Sequence, residues 1–283
     1  MSDSNEVAII GVGLIGGSLG LAVRERGLAD EVVGIGYREV TLERAEARGA
    51  IDRWTLDLAD GVSGADLVVV CTPVGLVADK AVEAAGAMKP GSVVTDVAST
   101  KAMIIRKVEA GLPDGIAFVP AHPMAGSEQR GNESARADLF EGATVIVTPT
   151  ERTPADAAAR VRGLWARLGA AVEQLDAATH DRIVAEISHF PHLVAPAVVN
   201  AVSESSLPYA ATGMKDTTRI AASDVPLWVD IFRDNRRNVL EALRRFGIEL
   251  DRIREALERE DWPALAKCLG RARERRRGLN GES

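Results

Sequence analysis

The 283-residue chain has only two cysteines, Cys71 and Cys268, far apart in sequence. That excludes a disulfide framework. Cys71 lies in an apolar strand run and reads as a buried free thiol, which points to a reducing compartment, the cytoplasm. No stretch approaches the ~18 apolar residues of a membrane helix. The first five residues are short and polar, with no basic stretch leading into an apolar core, so no secretory signal is expected. Positive charge is also in deficit, with 34 Lys and Arg against 41 Asp and Glu and a net charge of −7. Nucleic acid is therefore excluded as a partner, because backbone binding needs a basic face. The one arginine-dense stretch, Arg271 to Arg277, reads as a solvated helix end. Histidine is scarce too: there are four, all between His122 and His192. No cysteine pair and no His-Glu-x-x-His pattern accompanies them, so no metal site is expected. There is no internal repeat and no low-complexity linker.

The composition, 46% apolar and 27% charged, is that of an ordinary globular protein, long enough for two domains. Val7 to Ile10 is a short apolar run. Gly11-Val12-Gly13-Leu14-Ile15-Gly16-Gly17-Ser18 follows, then helical composition from Leu19 to Arg26. Strand, glycine turn and helix come in the order of a dinucleotide-binding fingerprint. Gly11 permits the tight turn, Gly13 lets the backbone approach a pyrophosphate, and Gly16 lets helix pack on strand. Leu14 and Ile15 lie in the turn beside the phosphates, and the N–H groups of the helix that follows face them. The second strand, Val32 to Gly36, ends where an acidic residue would be expected, ~20 residues past the last glycine, on the ribose hydroxyl. Gly36 stands there, followed by Tyr37 and Arg38. Without that carboxylate a 2′-phosphate meets no repulsion, and Arg38 is placed to pair with it. The cofactor is thus NAD or NADP, with NADP favoured.

Further strands are expected at 65–71, 92–97, 116–119, 144–147 and 171–175, and helices at 41–48, 75–88 and 154–168. Thr72 and Pro73 follow the third strand, where residues line the cofactor crevice. Ser99 and Lys101 follow the fourth, with Ser99 also a candidate N-cap for the next helix. After Asp176 the strand signals stop, and helices are expected at 179–204, 228–246, 250–259 and 262–277. The fold class is therefore an α/β Rossmann-type domain, 1–176, followed by an all-α domain, 177–283. The helical half is too apolar to stand alone, so a homodimer formed through it is expected.

Three clusters carry side chains suited to an anionic small-molecule substrate. His122, with Ser127 and Glu128, follows the 116–119 strand and is expected just past its end, facing the crevice. Its pKa class suits it to accept a hydroxyl proton. His180-Asp181 and Ser188-His189-Phe190-Pro191-His192 form the second cluster. Gly213 to Arg219 forms the third, with Arg219 able to grip a carboxylate by its planar fork.

Five motifs occur in order. They are Gly11 to Ser18, Thr95-Asp96-Val97-Ala98-Ser99-Thr100-Lys101, His122-Pro123-Met124-Ala125-Gly126-Ser127-Glu128, Ser188 to His192, and Asp216-Thr217-Thr218-Arg219-Ile220-Ala221. Together they resemble the prephenate dehydrogenase family over nearly the whole chain. The resemblance implies a Rossmann domain, then a helical domain that pairs two subunits. It implies oxidative decarboxylation of prephenate to 4-hydroxyphenylpyruvate in tyrosine biosynthesis, with arogenate as the alternative substrate. By that resemblance His122 is the hydrogen-bond partner and base for the ring hydroxyl. Ser99 helps orient that hydroxyl, Arg219 binds a substrate carboxylate, and Asp216 neighbours Arg219. His192 and His189 line the pocket. Two departures stand out: Ala98 replaces a usual glycine and Gly36 the usual acid. The short, monofunctional form is expected. A β-hydroxyacid dehydrogenase would leave the His122 motif unexplained. A non-catalytic dinucleotide sensor would not need the set of His122, Ser99 and Arg219.

Overall fold

The computed structural model describes residues 5–125 and 131–279. By internal contact the chain divides into two compact units, Met1–Arg236 and Arg237–Ser283.

The first unit opens with β1 (Glu6–Ile10), α1 (Leu14–Glu25), β2 (Glu31–Ile35), α2 (Glu39–Ala47), β3 (Arg53–Thr55), α3 (Leu58–Val62), β4 (Leu67–Val70), α4 (Val74–Ala85), β5 (Val93–Asp96), α5 (Ala102–Gly111) and β6 (Ala117–Val119). The six strands form one parallel sheet in the order β3-β2-β1-β4-β5-β6. Strand order reverses between β1 and β4, and in such sheets the ligand crevice lies at that reversal, beyond the carboxyl ends of the strands. The central strands are continuous apolar runs because both faces are covered. One face packs Leu19 and Val23 of α1, Leu42 of α2, and Val161, Leu164 and Trp165 of α6 (Ala155–Arg167). The other packs Val62 of α3, Val77 and Ala81 of α4, and Ile104 and Val108 of α5.

After β6 the chain changes sheet. Proline lacks an N–H, so Pro120 cannot extend the ladder. β7 (Ala121–Pro123) instead pairs antiparallel with β8 (Thr144–Val147), which pairs parallel with β9 (Ala171–Gln174). His122 thus lies three residues past the end of β6, as expected, but within a short strand of its own, β7, opposite Ile146. The expected pattern also lacked β3 and α3, which are too short to show a period. It began α1 five residues late, because glycines at 16 and 17 mask a first helical turn. Cys71, expected to be buried, is half-buried one residue past β4, and both cysteines are free.

Helices follow: α7 (Ala177–Val184), a π turn over Ala185–His189, α8 (Phe190–Ala201), α9 (Thr212–Thr218) and α10 (Val225–Asp234). Asp176 caps α7 through the Thr179 N–H (2.9 Å). The single helix expected over 179–204 is thus three segments, widened at Ser188-His189 and ending before Val202.

In the second unit α11 (Arg236–Glu258) turns into α12 (Trp262–Gly278). Glu249 pairs with Arg271 across the hairpin (3.0 Å), and Asp261 caps α12 through Ala264 N–H (3.0 Å). The break expected between 246 and 250 is absent. One glycine at 247 costs about 1 kcal/mol in a helix, too little to stop a long amphipathic one. Among the described residues no helix is long and apolar enough to cross a membrane.

Candidate active site

The turn between β1 and α1 builds a cradle. Gly11 sits at φ +95°, and a Cβ there would lie 2.9 Å from the Cys71 carbonyl oxygen. At Gly16 a Cβ would lie 2.2 Å from the Gly11 carbonyl oxygen and 3.0 Å from Ile9. At Gly13, by contrast, a Cβ would meet nothing within 4 Å. The helix that starts at Leu14 has no side-chain cap and no acidic residue in its first turn. Its leading N–H groups at Leu14, Ile15 and Gly16 are left for an anion. An open approach at Gly13 and an uncapped N-terminus fit a pyrophosphate. Thr72 and Pro73 stand across the strand-order reversal, between β4 and α4. Gly36 directly follows β2, and a Cβ there would press on Leu42 at 3.1 Å. The exposed Arg38 stacks over Tyr37 (4.9 Å to the ring centroid) and donates to its hydroxyl (2.9 Å).

His122 is held from two sides. Its Nδ1 lies 2.8 Å from His180 Nε2, and His180 Nδ1 lies 2.8 Å from Asp181 Oδ1. Asp181 Oδ1 also accepts the Lys101 N–H (2.8 Å), and Oδ2 the Ala102 N–H (2.9 Å). The helix following Ser99 is thus capped by a carboxylate from α7. Ser99 is not its N-cap, as its side chain alone suggested. Ser99 itself is half-buried in the loop from β5 to α5. The second hold is a fully buried ion pair, Lys101 Nζ with Asp96 Oδ2 at 2.5 Å. Lys101 Nζ also donates to the Ala121 carbonyl (2.6 Å), while Asp96 Oδ1 accepts the Ala121 N–H (3.2 Å). Both backbone groups of the residue before His122 are thereby clamped. Burial holds His122 well below the ordinary histidine pKa, with His180 and Lys101 adding to the effect. His122 is therefore a neutral imidazole near pH 7. Burial likewise pulls Lys101 below the usual lysine range, against the attraction of Asp96.

His189, in the π turn, is buried, with burial bringing its pKa down to about 4. Its Nδ1 accepts from Asn235 (3.1 Å), whose amide also donates to the Asp181 carbonyl (2.7 Å). Its Nε2 is buried with no hydrogen-bond partner among the described residues. His192 is half-buried and stacks on Trp228, ring centroids 3.6 Å apart at 17°. Its Nδ1 donates to the Ser188 carbonyl (2.9 Å). Burial lowers its pKa, and the charge of Arg219 lowers it further. Arg219 and Asp216 are exposed at the end of α9 and the turn after it. Ser127 and Glu128 lie outside the described residues.

The structure thus links His122 and His189 through His180 and Asp181, and sets Trp228 against His189 and His192; the motifs assign His180, Asp181 and Trp228 no role. The His180-Asp181 pair was visible as a cluster of scarce residue types. Nothing in sequence spacing ties it to a strand 58 residues earlier. Trp228 carried no signal, since an aromatic on an amphipathic helix reads as core.

The family model described as "Prephenate dehydrogenase, nucleotide-binding domain" matches residues 19–174. That described as "Prephenate dehydrogenase, dimerization domain" matches residues 176–271. The chain is 34% identical to the cyclohexadienyl dehydrogenase of Zymomonas mobilis, over 99% of this chain and 97% of that one. It is 33% identical to the prephenate dehydrogenase of Bacillus subtilis, over 96% of this chain and 76% of that one. The crystal structure of prephenate dehydrogenase from Aquifex aeolicus, in complex with hydroxyphenyl propionate and NAD+, superposes with a TM-score of 0.92. Identity there is 31%, covering 99% of this chain and 100% of that one. With a Rossmann sheet, a buried neutral histidine beside its crevice, and family models spanning most of its length, this chain belongs to the prephenate dehydrogenase family of NAD(P)-dependent dehydrogenases.

Proposed function

We propose that the chain oxidatively decarboxylates prephenate to 4-hydroxyphenylpyruvate in the cytoplasm, as a step of tyrosine biosynthesis. The observation that carries this reading is His122, buried, neutral and clamped on both sides. A neutral imidazole held in place is what removal of a hydroxyl proton needs. The Gly11, Gly13 and Gly16 turn, with Leu14, Ile15, Thr72 and Pro73, would hold the nicotinamide dinucleotide. When bound, it supplies the acceptor for the hydride leaving the ring carbon that bears the hydroxyl. His122 takes the hydroxyl proton, and Ser99 orients that hydroxyl. Arg219 grips a substrate carboxylate, with Asp216 beside it on the same helix end. His192, stacked on Trp228, and His189 shape the pocket, together with Ser127 and Glu128. The bond to the ring carboxylate breaks, CO2 departs, and its electron pair completes the aromatic ring. Aromatisation drives that last event, so the protein's work is to position, deprotonate and hold charge.

Gly36 and Arg38 favour NADP+ over NAD+. At Gly36 no carboxylate would repel a 2′-phosphate, and the exposed Arg38, just before α2, supports the reading as a cation that could pair with one. The functional boundary falls near residue 176, at the cap of α7, and the active unit is a homodimer formed through the helical part.

The test is reduced-cofactor absorbance on purified protein, with prephenate or arogenate against NAD+ or NADP+. Turnover of prephenate is expected, strongest with NADP+. Turnover of arogenate alone would transfer the activity to that substrate. Stronger turnover with NAD+ would reduce Arg38 to a loop charge. No turnover in any combination, with dinucleotide still bound, would overturn the reading in favour of a dinucleotide sensor.

A further inference from the structure

We propose that Asp181 and His180 form a relay that sets the tautomer of His122, making its Nε2 the nitrogen that receives the substrate's hydroxyl proton. The inference rests on the reading of His122 as the base.

The argument begins at Asp181, which is buried and surrounded by donors. Its Oδ1 accepts the Lys101 N–H and its Oδ2 the Ala102 N–H, at the N-terminus of α5. Backbone N–H groups cannot reverse their polarity, and two of them at a helix N-terminus favour a carboxylate that only accepts. The proton between Asp181 Oδ1 and His180 Nδ1 therefore sits on His180 Nδ1. An imidazole that gives one N–H to a carboxylate has its other nitrogen available to accept. His180 Nε2 accepts, so the proton in the 2.8 Å contact with His122 belongs to His122 Nδ1. That leaves the lone pair of His122 on Nε2. Polarity runs one way along the chain, from backbone amides through Asp181 and His180 to His122.

The relay also answers the charge that forms. When the substrate O–H bond breaks and the His122 Nε2–H bond forms, His122 becomes a buried cation. The titratable groups around it are His180 and Asp181 on α7, Lys101 and Asp96 beside β7, and His189 in the π turn. Lys101 opposes a second cation but is matched by Asp96 at 2.5 Å. Asp181 is the carboxylate left to balance His122, through a hydrogen-bonded ring whose solvent exposure is 0%. The same carboxylate fixes the Lys101–Ala102 amides, which end the loop bearing Ser99. One side chain thus registers both groups that meet the hydroxyl. His180 and Asp181 are positioning residues, since neither touches the reacting atoms.

The direct test is 15N NMR of histidine-labelled wild-type protein near neutral pH, which reads the protonated ring nitrogen without any turnover. His122 and His180 are both expected as Nδ1–H tautomers. A His122 that carries its proton on Nε2 overturns the relay, whatever the enzyme's substrate proves to be. Steady-state kinetics give the second arm. His180→Gln keeps an oxygen to accept from His122 and an N–H2 to donate to Asp181. It should retain the His122 tautomer and lose about tenfold or less in kcat. His180→Leu removes both and should lose on the order of 10²–10³ in kcat with little change in KM. Equal kcat for the two variants overturns the proposal. If His180→Leu does not fold, the tautomer seen in wild type and in His180→Gln still decides it.

Discussion

At the scale of the residue, the four histidines differ by surroundings rather than by chemistry. His122 and His180 share a proton contact, His192 lies flat on an indole, and His189 is enclosed with one nitrogen lacking a partner among the described residues. Enclosure has a consequence for stability. The folded-state pKa of His189 is about 4, below the ~6.5 of an unfolded histidine. Above pH ~6.5 neither state holds that proton, and folding is unaffected. As pH falls below ~6.5 the unfolded chain binds it and the native state does not, so stability is lost down to about pH 4. His189 alone contributes a loss of about 3 kcal/mol across that window, and His122 and His192 act in the same direction. Melting temperature should therefore fall steadily between pH 7 and 5. His189→Gln, which keeps an acceptor for Asn235 but cannot titrate, should flatten that slope. An unchanged slope would refute the assignment.

At the scale of the element, the β1–α1 unit shows how one sequence pattern performs two physical tasks. Gly16 is a packing glycine and Gly13 a ligand glycine. Gly16→Ala drives a methyl into the Gly11 carbonyl. It should cost on the order of 1–3 kcal/mol of stability, because overpacking against backbone cannot relax. Gly13→Ala meets open space in the free protein. It should leave the melting temperature nearly unchanged yet weaken dinucleotide binding about tenfold or more, roughly 1.4 kcal/mol. Thermal melts and dinucleotide titrations of the two variants separate the tasks, and parallel behaviour would contradict the division. This element was legible because the glycines, the apolar strand and the helix are contiguous. β7 was not. Its three residues carry no periodicity, and its pairing with β8 depends on a Pro120 break and on Asp96 and Lys101 seizing the Ala121 backbone.

At the scale of the molecule, apolar surface remains uncovered. In α8, built almost wholly of apolar residues, only Ala195 is buried. Ile187, Val225 and Val229 are also exposed in the first unit, and Leu240, Leu250 and Leu269 in the second. A water-exposed monomer rarely leaves so much apolar surface free, and residues 176–271 match a family model described as a dimerization domain, in keeping with the proposed homodimer. Light scattering at micromolar concentration should give a dimer mass near 60 kDa, twice the 30.0 kDa of the chain. A monomer mass would require another partner for these helices.

The sequence by itself determined the parts whose information is local. The dinucleotide turn, the alternation of strand and helix, the helical character after Asp176 and the absence of an acid at Gly36 all follow from neighbouring residues and their periods. Recognition of the His122 and Arg219 motifs belongs to the same level. Only the tertiary structure decided the surroundings of His122. His180 and Asp181 arrive from α7, and Lys101 and Asp96 from the end of β5. Each joins His122 through contacts whose cost and benefit depend on burial. A carboxylate 59 residues away in sequence becomes a partner only when folding removes the water that would otherwise satisfy both groups.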